Sequence, residues 1–170
     1  MARGGETMIS IQQPDHDFIA PLKKLLDVNT TRGHFLAGRL DFALNACLTN
    51  SYHGAPAIPR VAIMKDDPWG PEYLCGFYLM TRADKSLHQD GLRNAQELYI
   101  LAVDDYFQKK GIGRLLLDDA ITNFIKTTWA DWLICRTHRN ISTRMEHLLT
   151  QACFTLIRQE ETVNAWAIKK

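Results

Sequence analysis

A short polar stretch near the middle of the chain has the residue types and spacing of an anion-binding loop. Residues Gln108-Lys-Lys-Gly-Ile-Gly-Arg114 follow a nearly continuous apolar run and precede an amphipathic one. This order predicts a strand, a loop and then a helix whose first backbone N–H groups lack partners. Together with the helix dipole, such groups favour a bound phosphate or diphosphate. Glu97, an ionisable residue inside the apolar run, adds a potential base, so we expect chemistry on a phosphorylated cofactor.

The two glycines of this loop suit close contact with a ligand, but the loop does not follow the familiar nucleotide motifs. Because Gly111 and Gly113 lack a Cβ, a diphosphate can approach the backbone amides of residues 109–114. The dinucleotide fingerprint requires a third glycine where Leu116 stands, and the nucleotide-triphosphate loop requires Lys-Ser/Thr where Arg114-Leu115 stands. The ligand is therefore expected to be a different phosphorylated cofactor.

What the loop does match is the pattern Gln/Arg-x-x-Gly-x-Gly/Ala, in which Gln108 is the first residue and Gly113 the last. With this motif the chain resembles the GNAT N-acetyltransferase superfamily. The similarity is specific in residues 97–117, supportive in 73–81 and loose elsewhere, and it covers essentially the whole chain after residue 7. It implies a single α/β domain at 8–170, with a central mixed, mostly antiparallel sheet flanked by about four helices.

The resemblance also implies a cofactor and the residues that hold it. Acetyl-CoA is expected as the acyl-donor cosubstrate, without a metal. In the family the strand before the loop separates from its neighbour, and its backbone pairs with the pantetheine arm. The cations of the loop would add positive charge, although each is also compatible with a solvated helix start. The residues expected to bind the cofactor are Leu101, Val103, Gln108, Lys109, Lys110, Gly111, Ile112, Gly113, Arg114 and Asn140.

Two residues are candidates for proton transfer. Glu97 precedes Gln108 by eleven positions, a spacing at which some family members carry a glutamate general base; the alternatives are a glutamate in water or one paired with Arg93. The family's usual general acid is a tyrosine, but the last tyrosine here is Tyr106. His147 stands seven residues after Asn140, which is the customary spacing.

The assignment of His147 competes with other interpretations. Cys153-Phe154 stands about two residues later than the family's Gly-Phe pair, so Leu149 is the alternative equivalent of the tyrosine. A lone helical histidine is also often a surface residue, and Asn140 is also compatible with a simple turn.

Hydrophobic periodicity predicts the elements that position these residues. Residues 143–146 have the Ser/Thr-x-x-Glu spacing of a capping box, and the Gly- and Pro-containing segment 51–59 is expected to be a loop. Strands are predicted at 8–12, 61–64, 73–81, 96–103, 132–137, 154–158 and 163–168, and helices from Asp15 onward and at 34–49, 112–126 and 143–152.

Composition excludes several classes of function. Twenty basic against nineteen acidic residues give no footprint for duplex DNA or a membrane surface. The four cysteines are far apart, as expected of buried thiols in a reducing compartment. Cys135 and His138 could supply two zinc ligands, which is too few for a site.

Residues 1–7 do not resemble a secretory signal and are expected to be a flexible extension. No apolar run reaches the roughly 20 residues that span a bilayer. A cytoplasmic location is expected.

The function predicted from these observations is acetyl or acyl transfer to a primary amine of a small molecule or protein, by direct attack in a ternary complex. The alternative is a catalytically weak acyl-CoA-binding sensor or regulatory protein. Absence of the tyrosine favours the alternative, and Glu97 speaks against it. The expected partner is a small-molecule or peptide amine. A membrane is not expected, a nucleic acid is disfavoured by the charge balance, and a homodimer stays open.

Overall fold

The computed structural model describes residues 8–31, 39–85, 90–139 and 141–170. Strand and helix bounds agree closely with the predicted ones, and α3 has the predicted bounds. In chain order the elements are β1 (Met8–Gln12), α1 (Ile19–Thr31), α2 (Arg39–Thr49), β2 (Ser51–Tyr52), β3 (Ala55–Pro56), β4 (Ile58–Lys65), β5 (Glu72–Arg82), β6 (Ala95–Val103), α3 (Ile112–Lys126), β7 (Trp132–His138), α4 (Thr143–Gln151), β8 (Thr155–Gln159) and β9 (Val163–Lys169).

Seven strands form one mixed sheet in the order β1-β4-β5-β6-β7-β9-β8. Every neighbouring pair is antiparallel except β6 and β7, which run parallel. The described part of the chain contains four α-helices. The predicted fold class, a single α/β domain with a mostly antiparallel mixed sheet and about four helices, is confirmed. None of the helices in the described ranges is long and apolar enough to cross a membrane.

The helices cover the two faces of the sheet in pairs. One core cluster joins α3 and α4 to β5, β6 and β7, and a second joins α1 and α2 to β4, β5 and β6. Gly76 on β5 lets α3 approach the sheet, because a Cβ there would lie 2.8 Å from both Leu116 Cδ1 and the Ala102 carbonyl oxygen. The start of α3 is thereby fixed close to β6.

A bulge in β6 changes the direction of its side chains directly after the last pair of this strand with β7. Ile100 pairs with Leu79 and Leu98 with Met80, so Tyr99 is the extra residue of the bulge. Tyr99 and Ile100 both pack toward α1 and α2, whereas Leu101 packs toward α3 and α4. Bulges bend the strand that carries them and increase its twist.

The parallel pairing of β6 with β7 covers only four residues on each strand and ends at Leu98 and Cys135. β6 continues to Val103 and β7 to His138, so the two strands diverge beyond the pairing. The divergence opens a cleft at the carboxyl ends of the only parallel pair of strands in the sheet.

Four expectations about local structure need correction or fall outside the described ranges. The segment 51–59 is not a plain loop, because β2 and β3 form a small hairpin there. The capping box is wrong: Ser142 is the N-cap of α4 without a side-chain bond, and the Glu146 carboxylate bonds elsewhere. The start of the predicted helix 34–49 and the extension 1–7 lie outside the described residues.

Candidate functional site

A cavity of about 1010 Å³ fills the cleft between the diverging strands. Pockets that bind small molecules and cofactors are commonly several hundred to about 1000 Å³. The wall of this cavity comes from four elements: residues 98–103 of β6, residues 135–138 of β7, the loop and helix start at 105, 107–109 and 111–114, and the start of α4 with its preceding turn at 141–145, 147 and 148.

The loop between β6 and α3 turns its backbone toward this cavity. Asp104 caps a short 3-10 helix, Asp105–Phe107, by accepting from the Tyr106 N–H at 2.9 Å. Lys109 and Gly111 then adopt left-handed conformations, with φ of 61° and 82°. The first backbone bond of α3 runs from the Leu115 N–H to the Gly111 carbonyl at 3.0 Å.

The backbone N–H groups that precede this first helical bond have no acceptor in the part of the chain that the structure describes. Across the ranges that the structure describes, no hydrogen bond is donated by the amides of residues 109–114. Six successive donors at a helix start form a concave positive site, and the dipole of α3 adds to its potential. The predicted anion cradle has the geometry that such a role requires.

Gly113 is placed where any side chain would meet two walls of the cavity. A Cβ at this position would lie 3.3 Å from Leu148 Cδ1 on α4 and 3.7 Å from Val103 Cγ2 on β6. The absence of a side chain keeps the backbone of the helix start open to a ligand at the junction of β6, α3 and α4.

The three predicted cations of the loop differ in their surroundings. Lys109 is exposed and lies on the cavity wall. Arg114 also lies on the wall, but its Nε donates to both carboxylate oxygens of Asp118 at 2.9 and 3.0 Å. Lys110 is not on the wall; its Nζ lies 4.6 Å from the centre of the Tyr106 ring. The structure thus brings two of these three side chains to the cavity.

A cation that the sequence analysis did not identify joins the loop to α4. Arg144 lies on the cavity wall and its Nη1 donates to Gln108 Oε1 at 2.7 Å. The amide of Gln108 in turn donates to Asp105 Oδ1 at 2.7 Å. Gln108 therefore stands between the two elements, and Arg144 adds positive charge opposite the amides of the loop. Its position at the start of α4 was the only signal in the sequence.

Glu97 is buried, with 3% of its surface exposed, and both of its carboxylate oxygens are bound. Arg136 Nε donates to Oε1 at 2.7 Å and Arg136 Nη2 donates to Oε2 at 2.8 Å. The same Nη2 donates to Asp84 Oδ2 at 2.9 Å. The carboxylate of Glu97 raises the pKa of the Arg136 guanidinium above its ordinary value. Both alternatives considered for Glu97 are wrong, since it is neither in water nor paired with Arg93.

Glu97 itself does not border the cavity, whereas Arg136 does. The guanidinium therefore stands between the buried carboxylate and the cleft. Sequence analysis missed Arg136, although a single charged residue within the apolar segment 132–137 was a signal for a buried or functional ion pair.

The residues on and near α4 that were candidates for the site lie in different surroundings. His147 is exposed on the cavity wall. Leu149 is fully buried in the core and does not border the cavity. Cys153 adopts φ of 64° directly after α4, a conformation that usually requires glycine. Asn140 lies outside the described residues.

A polar network behind the cavity fixes α4 against β7 and β9. The Thr137 hydroxyl donates to Glu146 Oε1 at 2.8 Å and accepts from Trp166 Nε1 at 3.1 Å. Asn164 Nδ2 donates to the same carboxylate oxygen at 2.8 Å. Because Thr137 lies on the cavity wall, this network sets the position of that wall relative to His147.

Comparison with known proteins finds likeness in structure only. No family model matches the sequence, and no curated protein matches it. Among solved structures, NAA60 of Arabidopsis thaliana in complex with acetyl-CoA has a TM-score of 0.72 at 13% identity, covering 96% of this chain and 100% of the other. PaiA N-acetyltransferase of Thermoplasma acidophilum in complex with coenzyme A has 0.67 at 14%, covering 96% and 99%. An acetyltransferase of the GNAT family from Staphylococcus aureus has 0.70 at 16%, covering 95% and 99%.

Proposed function

We propose that this protein, which has the GNAT acetyltransferase fold, transfers an acetyl or other acyl group from acetyl-CoA to a primary amine. The amine belongs to a small molecule or a peptide, and both substrates are bound at the same time. One observation carries the proposal: the diverging end of β6 borders the same cavity as the loop whose six successive amides have no acceptor in the described part of the chain. The amides suit a diphosphate, and the free edge of β6 suits a peptide-like arm. One ligand that contains both parts would occupy both features.

The residues around the cavity suit the successive parts of acetyl-CoA. The amides of residues 109–114 bind the diphosphate, with Lys109, Arg114 and Arg144 adding charge around it. The backbone of Leu101 and Val103, beyond the last pair with β7, binds the pantetheine arm. When bound, acetyl-CoA supplies a thioester, which is the activated acyl group of the reaction. The side chain of Lys110 is outside this set, because Lys110 does not border the cavity.

Proton transfer is assigned to two side chains. The amine attacks the thioester carbonyl directly and loses a proton, which Glu97 accepts. Because Glu97 lies behind Arg136, a water molecule carries the proton to it, and the two hydrogen bonds from Arg136 hold the carboxylate in one orientation. His147, exposed on the wall formed by α4, donates a proton to the departing thiolate.

The experiment is a thiol-release assay with acetyl-CoA and a panel of primary amines. The proposal expects release above background with at least one amine, and a matching N-acetyl product by mass spectrometry. Glu97→Gln should lower kcat by about 100-fold or more while the Kd for acetyl-CoA stays within about twofold. Absence of acetyl-CoA binding would end the proposal, since the cavity would then have no coenzyme to hold.

A second candidate is a protein that binds acyl-CoA as a sensor or regulator without turnover. The observation that favours it is the full engagement of the Glu97 carboxylate by Arg136. Tight binding of acetyl-CoA with no product from any amine, and no kinetic effect of Glu97→Gln, would select this candidate over the enzyme.

A further inference from the structure

A cluster of four aromatic side chains lies next to the cleft, on the face of the sheet that α1 and α2 cover. Its members are Phe42 of α2, Tyr52 and His53 of the β2–β3 hairpin, and Tyr99 of β6. Tyr99 borders the cleft, and its ring centre lies 5.0 Å from that of Tyr52. The His53 ring centre lies 4.5 Å from that of Tyr52 and 4.9 Å from that of Phe42. The cluster therefore extends from the wall of the cleft to the surface, where 47% of Phe42 is exposed.

The β2–β3 hairpin holds its aromatic residues in place although each of its strands has only two residues. Tyr52 pairs with Ala55, and the two residues between them, His53 and Gly54, have φ of 49° and 76°. Two successive left-handed residues form a type I′ turn, in which asparagine or aspartate is the common first residue. The histidine here puts an aromatic ring in that position. The Tyr52 hydroxyl donates to the Tyr99 hydroxyl at 2.8 Å, which joins the hairpin to β6.

Tyr99 lies on the same face of β6 as Glu97. Leu98 packs into the core cluster formed with α3 and α4, so its two neighbours along the strand point to the other face. Tyr99 accordingly packs against the cluster formed with α1 and α2. Two residues along a strand span about 7 Å. An aromatic ring in contact with Tyr99 and an amine near the Glu97–Arg136 ion pair can therefore belong to one small molecule.

The charged groups on the Glu97 side of the cleft already have partners. Arg136, the cation that borders the cleft on this side, donates to Glu97 and to Asp84. Among the described residues of the cleft wall the only acid is Asp105, which lies in the coenzyme-binding loop and accepts from Gln108. A second ammonium or a carboxylate on the acceptor would lose hydration here without gaining a partner. The aromatic surface is therefore the feature of this side that suits an acceptor.

We propose that the acceptor is an arylalkylamine, a primary amine joined to an aromatic ring by a short alkyl chain, and that its ring binds against Tyr52 and Tyr99. Aromatic rings attract one another in tilted and edge-to-face contacts with centres about 4.5–7 Å apart, and the rings of the cluster already lie in such contacts. These contacts add to the stabilisation that comes from burying the ring. This inference rests on the proposed acetyl transfer and names the class of its acceptor.

The first experiment compares kcat/KM for three primary amines: 2-phenylethylamine, ethylamine and 1,5-diaminopentane. The arylalkylamine should exceed the other two by about tenfold or more, because it alone buries a ring. Equal values, or a higher value for the diamine, would overturn the assignment of the acceptor and leave acetyl transfer itself intact.

A free arylalkylamine and a peptide that begins with phenylalanine offer the cluster the same chemistry. Two tripeptide amides, one beginning with phenylalanine and one with alanine, are therefore added to the panel. A preference for the ring among the free amines alone identifies a small molecule as its source, and the same preference among the tripeptides identifies a peptide. A preference in neither pair would contradict a ring-binding site.

Variants locate the preference in the cluster. Tyr52→Leu should lower the ratio of kcat/KM for 2-phenylethylamine to kcat/KM for ethylamine about fivefold, because it removes a ring from the site. Tyr52→Phe keeps the ring and should keep the ratio within about twofold. Trp69→Leu is the matched control, since Trp69 is 95% exposed in the β4–β5 turn and does not border the cleft. An unchanged ratio in Tyr52→Leu, shown to be folded by urea unfolding, would place the ring elsewhere and overturn the inference.

A binding measurement keeps the inference testable if no amine is acetylated. Calorimetric titration of the CoA-saturated protein with N-acetyl-2-phenylethylamine should give a Kd about tenfold lower than titration with N-ethylacetamide, and Tyr52→Leu should reduce the difference. Equal affinities, or no binding of either compound, would overturn the inference. Failure of the protein to bind CoA at all would instead end the proposed function.

Discussion

The carboxylate of Glu97 and the guanidinium of Arg136 face each other from adjacent parallel strands, joined by hydrogen bonds of 2.7 and 2.8 Å. Glu97 lies within the paired part of β6, opposite Ile134, and Arg136 is one residue beyond the last paired residue of β7, so the ion pair spans the point at which the strands begin to diverge. Glu97 is buried while Arg136 borders the cleft. A change to this ion pair is therefore expected to alter both the stability of the fold and the chemistry in the cleft.

Removing Arg136 should destabilise the fold, because it leaves the buried Glu97 carboxylate without its partner. Arg136→Met is expected to lower the free energy of unfolding by about 3 kcal/mol, measured by urea denaturation. The double variant Glu97→Leu/Arg136→Met should recover most of this loss, since no buried charge remains unpaired. Equal stability of Arg136→Met and the unmodified protein would show that the pair is not held as described.

Gly111 should matter for coenzyme binding beyond its effect on stability. Its φ of 82° is costly for any other residue, so Gly111→Ala should cost about 1 kcal/mol of stability and weaken acetyl-CoA binding about tenfold by turning the loop amides. Gly54→Ala is the matched control, because Gly54 has φ of 76° with open space around it and lies in the β2–β3 hairpin. Calorimetry should show weakened binding for the first variant only.

The two neighbouring lysines of the loop should differ in their effect on coenzyme binding. Lys109 lies on the cavity wall, whereas Lys110 lies over the Tyr106 ring away from it. Lys109→Gln should raise the Kd for acetyl-CoA several-fold at low ionic strength, with a smaller effect in high salt because exposed charges are screened. Lys110→Gln should change it by less than about twofold. The reverse order would mean that the loop binds its ligand in a different orientation.

Buried thiols should react more slowly than the exposed one. Burial raises the pKa of Cys75 to about 11 and of Cys47 to about 12, from an ordinary value of 9.0, and it also raises the pKa of Cys135. At pH 8 the disulfide reagent DTNB should therefore modify one thiol per chain, the exposed Cys153. Cys153→Ser should abolish that reaction, and rapid modification of several thiols would contradict the described core.

The same thiols give the sign of one pH effect on stability. In the unfolded chain they ionise near pH 9, whereas in the folded chain Cys75 and Cys47 keep their protons until about 11 and 12. Above pH 9 the unfolded state binds fewer protons, so these thiols lower the free energy of unfolding as pH rises, and they have no effect below that value.

Local sequence signals predicted the elements that carry the site but not the contacts between them. The apolar run of β6 and the hydrophobic periodicity of α3 could be recognised in the sequence, because each element is long and its pattern depends only on its own residues. Glu97 and Arg136 are 39 residues apart, and their meeting depends on the register of β6 with β7, which no local pattern specifies.

Two further misses have equally physical reasons. β2 and β3 are two residues each, too short for an alternating pattern to appear. Glu146 has capping-box spacing, but Thr137 and Asn164 offer its carboxylate partners from neighbouring strands, and this tertiary network replaces the local cap.

Amide-resolved hydrogen exchange with and without acetyl-CoA tests the central claim most directly. If the coenzyme occupies the cleft, the amides of residues 109–114 will become protected at stoichiometric ligand, together with those of the diverging end of β6. Gly111→Ala should reduce this protection. Unchanged exchange at 109–114 in the presence of bound ligand, or no binding at millimolar acetyl-CoA, would contradict the account.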